Sequence, residues 1–219
     1  RDRVQRNVAK GLSASLAYTY TAAWDITSNP GSIANSTWLG NAAVGTQNDQ
    51  ELAFSGNAIP HRIVAFVTYR FEYLKHLGTS ITLFYDAAPQ FNFSYIANGD
   101  LNGDGNSSDL IYVPRNQSEM NFLPITGANP WSVQAQRDAY EQFINNSQYL
   151  RKRRGGYAER NSAFAPWVHT LNLNIQQDIF TNIGKRRNTL RLQADVLNFA
   201  NMLNRAWGLR FQTTVTNPV

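Results

Sequence analysis

The sequence predicts an all-β fold: part of a transmembrane antiparallel β-barrel, with one helix in a long loop. Three observations predict it. Apolar and polar residues alternate with period two through several runs. Several runs exceed the roughly five or six residues of an ordinary globular strand. Short joins also alternate with very long ones, as in barrels that turn tightly on one side of a membrane and loop widely on the other.

The runs cover about residues 7–23, 60–73, 79–97, 166–180 and 188–200, with a weaker one at about 207–215. The alternation is clearest in "HTLNLNIQQDI", where Leu171, Leu173 and Ile175 point one way and Asn172, Asn174 and Gln176 the other. In "TLRLQADVL", Leu190, Leu192, Ala194 and Val196 alternate with Arg191, Gln193 and Asp195. Charge on the inner face suggests a wet lumen rather than a dry core, so Asn172, Asn174, Gln176, Arg191, Gln193 and Asp195 form the expected lumen-facing set. A tilted membrane strand needs about 9–11 residues, which these runs supply.

Joins at 74–78 ("LKHLG") and 181–187 ("TNIGKRR") are short, whereas 24–59 and 98–165 are long and are expected outside the cell. Aromatic residues cluster near strand ends: Tyr18, Tyr20 and Trp24; Tyr69, Phe71 and Tyr73; Phe91, Phe93 and Tyr95; Trp167 and Phe180. Amphipathic rings favour membrane interfaces, so these read as two girdles. Within the second loop, Trp131 to about Arg153 has helical spacing, with Val133, Gln136, Tyr140, Phe143 and Ile144 on one face. Pro130 precedes it, Gly155 and Gly156 follow it, and basic residues fill its last turn.

Composition removes other classes. The 219 residues contain no cysteine, which excludes disulfide frameworks, thiol nucleophiles and zinc–thiolate sites. No run approaches the ~18 apolar residues of a membrane helix, and the first residues, "RDRVQRNVAKG", contain no signal-peptide core. The mean hydropathy of −0.41 fits a barrel, because half of each strand faces water. The net charge of +5 is concentrated in "RKRRGG" (151–156) and "GKRRN" (184–188). Neither is interleaved with aromatics, so they read as solvated turns and no nucleic-acid partner is expected.

The stretch "GDLNGDGNSSDL" places Asp100, Asn102, Asp104, Asn106 and Asp109 near alternate positions. Its start matches a calcium loop, but position 12 is Ile111 and Asp109 falls at position 10. A structural calcium ion is the one cofactor this permits; the competing reading is an Asx-rich turn that bonds its own backbone. His61, His76 and His169 are scattered, with His76 in a short turn and the other two opening strands, which argues against a shared metal or a triad. Asp138 and Glu141 read as helix-surface solvation. No GxSxG, HExxH or P-loop pattern occurs, so no enzyme is expected.

Three segments in order, "NGDLNGDGNSSDLIYVP" (98–114), "QYLRKRRGGYAERNSAFAPW" (148–167) and "LQADVLNFANMLNRAWG" (192–208), resemble C-terminal barrel segments of TonB-dependent outer-membrane receptors. The branch most resembled is the Bacteroidetes one with a carboxypeptidase-regulatory-like domain, often called Oar-like, and the likeness runs from about residue 7 to 208. It implies a barrel of about 22 strands around an N-terminal plug, importing a substrate with energy delivered through TonB. It also implies residence in the cell outer membrane, contact with its lipid and, in some assemblies, a surface lipoprotein.

This chain holds neither plug nor TonB box, and "FQTTVTNPV" lacks the terminal aromatic residue of such barrels. The expectation is therefore a fragment of about six strands, inactive alone, with loops at 24–59 and 98–165. Trp24 and Trp38 are the loop residues expected to meet substrate, by stacking on sugars or gripping apolar groups. The rival reading is a secreted, soluble β-sandwich that binds glycans through a calcium loop.

Overall fold

A computed structural model of the chain describes residues 2–183, 186–210 and 212. Strands β1 (Asp2–Ala9), β2 (Leu12–Tyr20) and β3 (Trp24–Asp25) come first, then helix α1 (Ala34–Leu39). Strands β4 (Ala53–Phe54), β5 (His61–Tyr73), β6 (Leu77–Pro89), β7 (Asn92–Phe93) and β8 (Tyr112–Val113) follow. Helices α2 (Val133–Asn146) and α3 (Gln148–Lys152) precede β9 (Gly156–Tyr157) and β10 (Ala163–Phe164). The last elements are β11 (Trp167–Ile183), β12 (Arg186–Val196) and helix α4 (Phe199–Leu203). They form two units, one from Arg1–Ala22, Ile59–Gln90 and Pro166–Phe211, the other built on Ala23–Ala58 and Phe91–Ala165.

The first unit is one six-stranded antiparallel sheet in the order β1-β2-β5-β6-β11-β12, an up-and-down meander with open edges at β1 and β12. The β1–β2 and β5–β6 turns lie at one end of the sheet, where β11 also ends and β12 begins; residues 184–185 between them lie outside those described. The connections from β2 to β5 and from β6 to β11 leave from the opposite end.

Several boundaries differ from the sequence reading, each for a local reason. The run 7–23 is a hairpin, because Gly11 at φ +80° turns the chain, and a Cβ there would lie 2.2 Å from the Arg70 carbonyl oxygen. The run 79–97 stops at Pro89, after which Asn92 and Phe93 pair with β10. The run 188–200 ends at Val196, and Asn198 at φ 52° leads into α4. Residues 207–210 are not strand; 211 and 213–215 lie outside the described residues.

The second unit contains three helices and a 3₁₀ turn rather than one helix. The stretch 131–153 breaks at Ser147, whose N–H donates to the Ile144 carbonyl (3.2 Å) while its Oγ accepts from Leu150 N–H (3.3 Å). One serine thus closes α2 and caps α3. Ser132 caps the start of α2 by accepting from Ala135 N–H (3.1 Å). Gln136 and Ile144 are buried, and Tyr140 and Phe143 pack against Ile111, Val113, Met120, Leu150 and Ala158, the core of this unit.

In the sheet, Arg70 of β5 reaches across Gly78 of β6 to Asp178 of β11. A Cβ on Gly78 would lie 3.2 Å from Phe180 Cζ and 3.5 Å from Arg70 Nη2. The change Gly78→Val is therefore expected to destabilise the sheet by about 1–3 kcal/mol, read as a lower urea midpoint in detergent. An unchanged midpoint would mean that the ring and guanidinium give way freely.

Candidate functional site

The register divides the sheet into two chemically distinct faces. On one, Val67, Leu83 and Leu173 stand opposite one another with Val196 next, and the adjacent rows hold Ile81 with Ile175 and Tyr85 with Leu171. Leu12, Leu16, Ile63, Leu190 and Leu192 share this face. It is the exposed one: Leu16 is 54% exposed, Val67 45%, Leu190 60% and Leu192 57%. On the other face Ser15, Ser80 and Asp178 are buried, at 7%, 8% and 3%. Folded proteins in water bury the apolar side of a sheet; this sheet leaves it open, although Arg191, Gln193 and Asp195 on the polar face are exposed as well.

Rings bound the exposed apolar face at both ends. Tyr69, Phe71 and Tyr73 form a stacked column toward the tight turns. At the other end Tyr18 and Tyr20 pack on His61, His61 stacks with Trp167, Trp167 with His169, and His169 with Tyr85. Each histidine Nδ1 meets a tyrosine hydroxyl, Tyr18 at 2.6 Å and Tyr85 at 2.7 Å. His61 and His169, read from sequence as strand openers with His76 apart in a short turn, are thus joined in one row through Trp167, and the small, fully covered Ala87 lies opposite His169. From His61 to Phe71 the strand rises about 33 Å; the tilt of about 40° usual in outer-membrane barrels would project this to about 25 Å, the height of their apolar band. Polar side chains on this face, Thr79 and Gln177, lie beside the Tyr73 ring and bond its hydroxyl (3.3 and 3.2 Å) and each other (2.7 Å).

All six residues expected to face a lumen share the other face. Asp195 accepts from Asn174 Nδ2 (2.6 Å) and Gln193 Nε2 (2.8 Å), and Asn172 Oδ1 accepts from Asn198 N–H (2.8 Å). Gln176 lies opposite Gln193. Asp178, which the sequence reading left out of the set, is the hub: Arg191 Nε donates to it at 2.7 Å, and Arg70 Nη1 lies 3.2 Å away. Arg62 and Asp86 pair farther along (Nε–Oδ2 3.0 Å), and Thr68 bonds Thr82 (2.9 Å). Val64, Phe66 and Phe84 interrupt this polar face, and so does the buried Phe180, which the sequence reading had placed in a girdle.

In the second unit the acidic stretch folds as nested turns. Asp100 accepts from the N–H groups of Gly103 (2.7 Å), Asp104 (3.2 Å) and Gly105 (2.8 Å). Asn102 accepts from Asp104 N–H, Asp104 from Asn106 N–H, and the buried Asp109 from Leu101 N–H (2.6 Å). Asn106 Nδ2 ties the loop to the Leu39 carbonyl (3.0 Å). Gly103 and Gly105, at φ +76° and +87°, supply the left-handed positions that such turns require. The bond from Gly105, helped by those from Gly103 and Asp104, holds the Asp100 carboxyl below its ordinary pKa. Among the described residues no three His, Asp or Glu side chains converge on one point where a metal could sit.

The basic cluster 151–156 ends α3 and turns at 153–155 with Arg151 and Lys152 exposed, as expected, but Arg153 and Arg154 are engaged rather than merely solvated, and so is Glu141. Arg154 forms a two-pronged contact with Glu141 and donates to Asn145 (3.0 Å) and the Pro114 carbonyl (3.2 Å). Arg153 bonds the Tyr157 carbonyl (2.9 Å) and pairs with Glu159 (2.8 Å). Sequence reasoning also missed Arg160, only 4% exposed, which donates to Asp25 Oδ1 (2.9 Å), the Asp25 carbonyl (2.7 Å) and Ser28 Oγ (3.0 Å). Burial pushes the Asp25 carboxyl up, but hydrogen bonds from Ser55, Arg160 and Ser28 outweigh it and leave its pKa below the ordinary value. Burial raises the Tyr140 phenol to about 12, which keeps it a donor to the Tyr112 carbonyl (3.1 Å).

Trp24 packs on Phe54 and remains 55% exposed; Trp38, 44% exposed, donates to Asn48 (3.3 Å). No family model, curated protein or solved structure matches the chain.

The Asp25→Ala variant would leave a buried guanidinium short of its carboxylate. It is expected to cost about 3–5 kcal/mol, measured as lost protease resistance of the second unit. The Asp100 bonds give a pH signature. Because the folded pKa is lowered, their contribution is complete at neutral pH, begins to fall below about 3.9, and is gone once pH passes the folded value. The Gly103 and Gly105 amide resonances should stay at their bonded positions until that window, and in Asp100→Ala should be shifted at every pH.

Proposed function

We propose that the chain is a segment of the β-barrel of an outer-membrane TonB-dependent receptor, and that its sheet spans the membrane with the apolar face toward lipid. One observation carries this reading: the sheet exposes its leucines and valines and buries serines and an ion-paired aspartate. Lipid tails accept such a face at no cost, whereas water does not. The girdle spacing and the resemblance of three ordered segments support it. A soluble sandwich would need a second sheet over Leu16, Val67 and Leu192, which are exposed.

On this reading the polar face lines the lumen and meets the plug of the parent receptor, through which TonB delivers energy. The open edges at β1 and β12 are where the remaining strands pair, since an unpaired edge is not tolerated in hydrocarbon. The second unit is the extracellular loop assembly, and Trp24 and Trp38 are the proposed contacts for a substrate or a surface lipoprotein. The nested turns at 99–110 shape that assembly. The role is uptake, and no catalytic step is assigned.

Leu83, on the central strand β6 between Val67 and Leu173, marks the middle of the apolar band. In the intact receptor Leu83→Arg is expected to cost about 2–4 kcal/mol at mid-bilayer, whereas Gln193→Arg on the lumen side should be close to neutral. Heat-modifiable receptor in the outer-membrane fraction reads the difference. Equal yields of the two variants would sink the assignment of faces.

A further inference from the structure

The tight end of the sheet carries a row of free cations. Lys10 lies in the β1–β2 turn, Lys75 in the β5–β6 turn, and Arg186 opens β12 opposite Ile183 at the same end. All three side chains are exposed, and among the described residues none has a carboxylate partner. The acids toward this end, Glu72 and Asp178, are already held by Arg70 and Arg191. Successive turns of a meander stand two strand spacings apart, about 10 Å. That is close to the Debye length of about 8 Å at physiological salt, so the charges act as one row.

The β5–β6 turn adds an observation of a different kind. Leu74 and Lys75 both take left-handed backbone, at φ 52° and 56°. Left-handed positions favour Asn and Gly, and a leucine held there is strained. Leu74 is nevertheless 75% exposed, so it gains no packing that would offset the strain. Its side chain becomes favourable only beside hydrocarbon, directly past the Tyr69, Phe71 and Tyr73 column. The Lys75 stem can then lie along the same boundary with its ammonium at phosphate level.

We infer that this end of the sheet is a docking surface for anionic phospholipid headgroups of the inner leaflet, with Lys10, Lys75 and Arg186 on phosphates and Leu74 at the acyl boundary. The inference rests on the membrane reading above. Each basic residue near an anionic surface contributes about fivefold in affinity, so the three together give on the order of 100-fold.

The test is partitioning of the intact receptor, whose remaining strands pair the edges at β1 and β12, from detergent into two vesicle types: phosphatidylcholine alone, and equal parts phosphatidylcholine and phosphatidylglycerol. Wild type should bind both and favour the anionic vesicles by on the order of 100-fold. The triple variant Lys10→Gln, Lys75→Gln, Arg186→Gln should lose that preference and keep its binding to neutral vesicles. The pair Leu74→Asn, Lys75→Gly suits the turn better and so will fold; it should still lose about fivefold on anionic vesicles. Preference retained by the triple variant overturns the inference and leaves the membrane reading standing. A charge-dependent preference for lipopolysaccharide over phosphatidylglycerol also overturns it, by assigning this end to the outer leaflet. Failure of folded wild type to enter neutral vesicles removes the membrane reading itself.

Discussion

The antiparallel register of β5, β6 and β11 is the constraint on which everything else depends. Slipping β11 by one residue against β6 would carry Leu173 and Ile175 into the ion-pair face and Asn174 and Gln176 onto the apolar one. The apolar face is not packed against protein, so no side-chain interlocking there sets the register. Polar contacts pin it instead. Asp178 is gripped by Arg70 from β5 and Arg191 from β12, so three strands are locked at one level. Thr68 with Thr82 and the two tyrosine–histidine pairs fix other levels. Gly78 sits under this contact, and a Cβ there would press on the Phe180 ring and touch the Arg70 guanidinium.

The second unit is held by a comparable logic with different parts. Its apolar core is small, and long segments away from it are fastened by side chains bonded to backbone. Ser28 Oγ accepts from Gly56 N–H (2.7 Å), Arg160 and Asn161, while Asn161 Nδ2 also reaches the Phe54 carbonyl (2.9 Å). The segments around 25, 55 and 160 converge on that hydroxyl. Ordering such segments in advance means that a ligand meeting them has less entropy to remove on binding.

Much of the sheet was legible because alternation is a local signal. The residues from His169 to Gln177 and from Leu190 to Val196 declare their two faces without reference to any partner strand. The hairpin at Gly11 was hidden, since "NVAKGLSASLAY" keeps alternating small and apolar residues through the turn. The break at Ser147 was hidden because helical spacing continues on both sides of it. The clamps were the least legible. Arg160 and Asp25 are 135 residues apart in sequence, and nothing near either one signals the other. The acidic loop lies between these cases: its Asx and Gly spacing reads as turns, but which carboxylate serves which amide emerges only from the fold.

The meander also dictates an order of events during folding. Each hairpin, β1–β2, β5–β6 and β11–β12, joins strands that are nearly adjacent in sequence and closes at little entropic cost. The two seams are different. Leu12 meets Tyr69 and Pro89 meets Trp167 only after the whole of an intervening insertion has been looped out. Non-local pairings of this kind are slow to form. The three hairpins therefore act as prefabricated pieces and the two seams as late joints. The Arg70–Asp178 contact across the later of them works as a latch that closes only when the pieces meet in register.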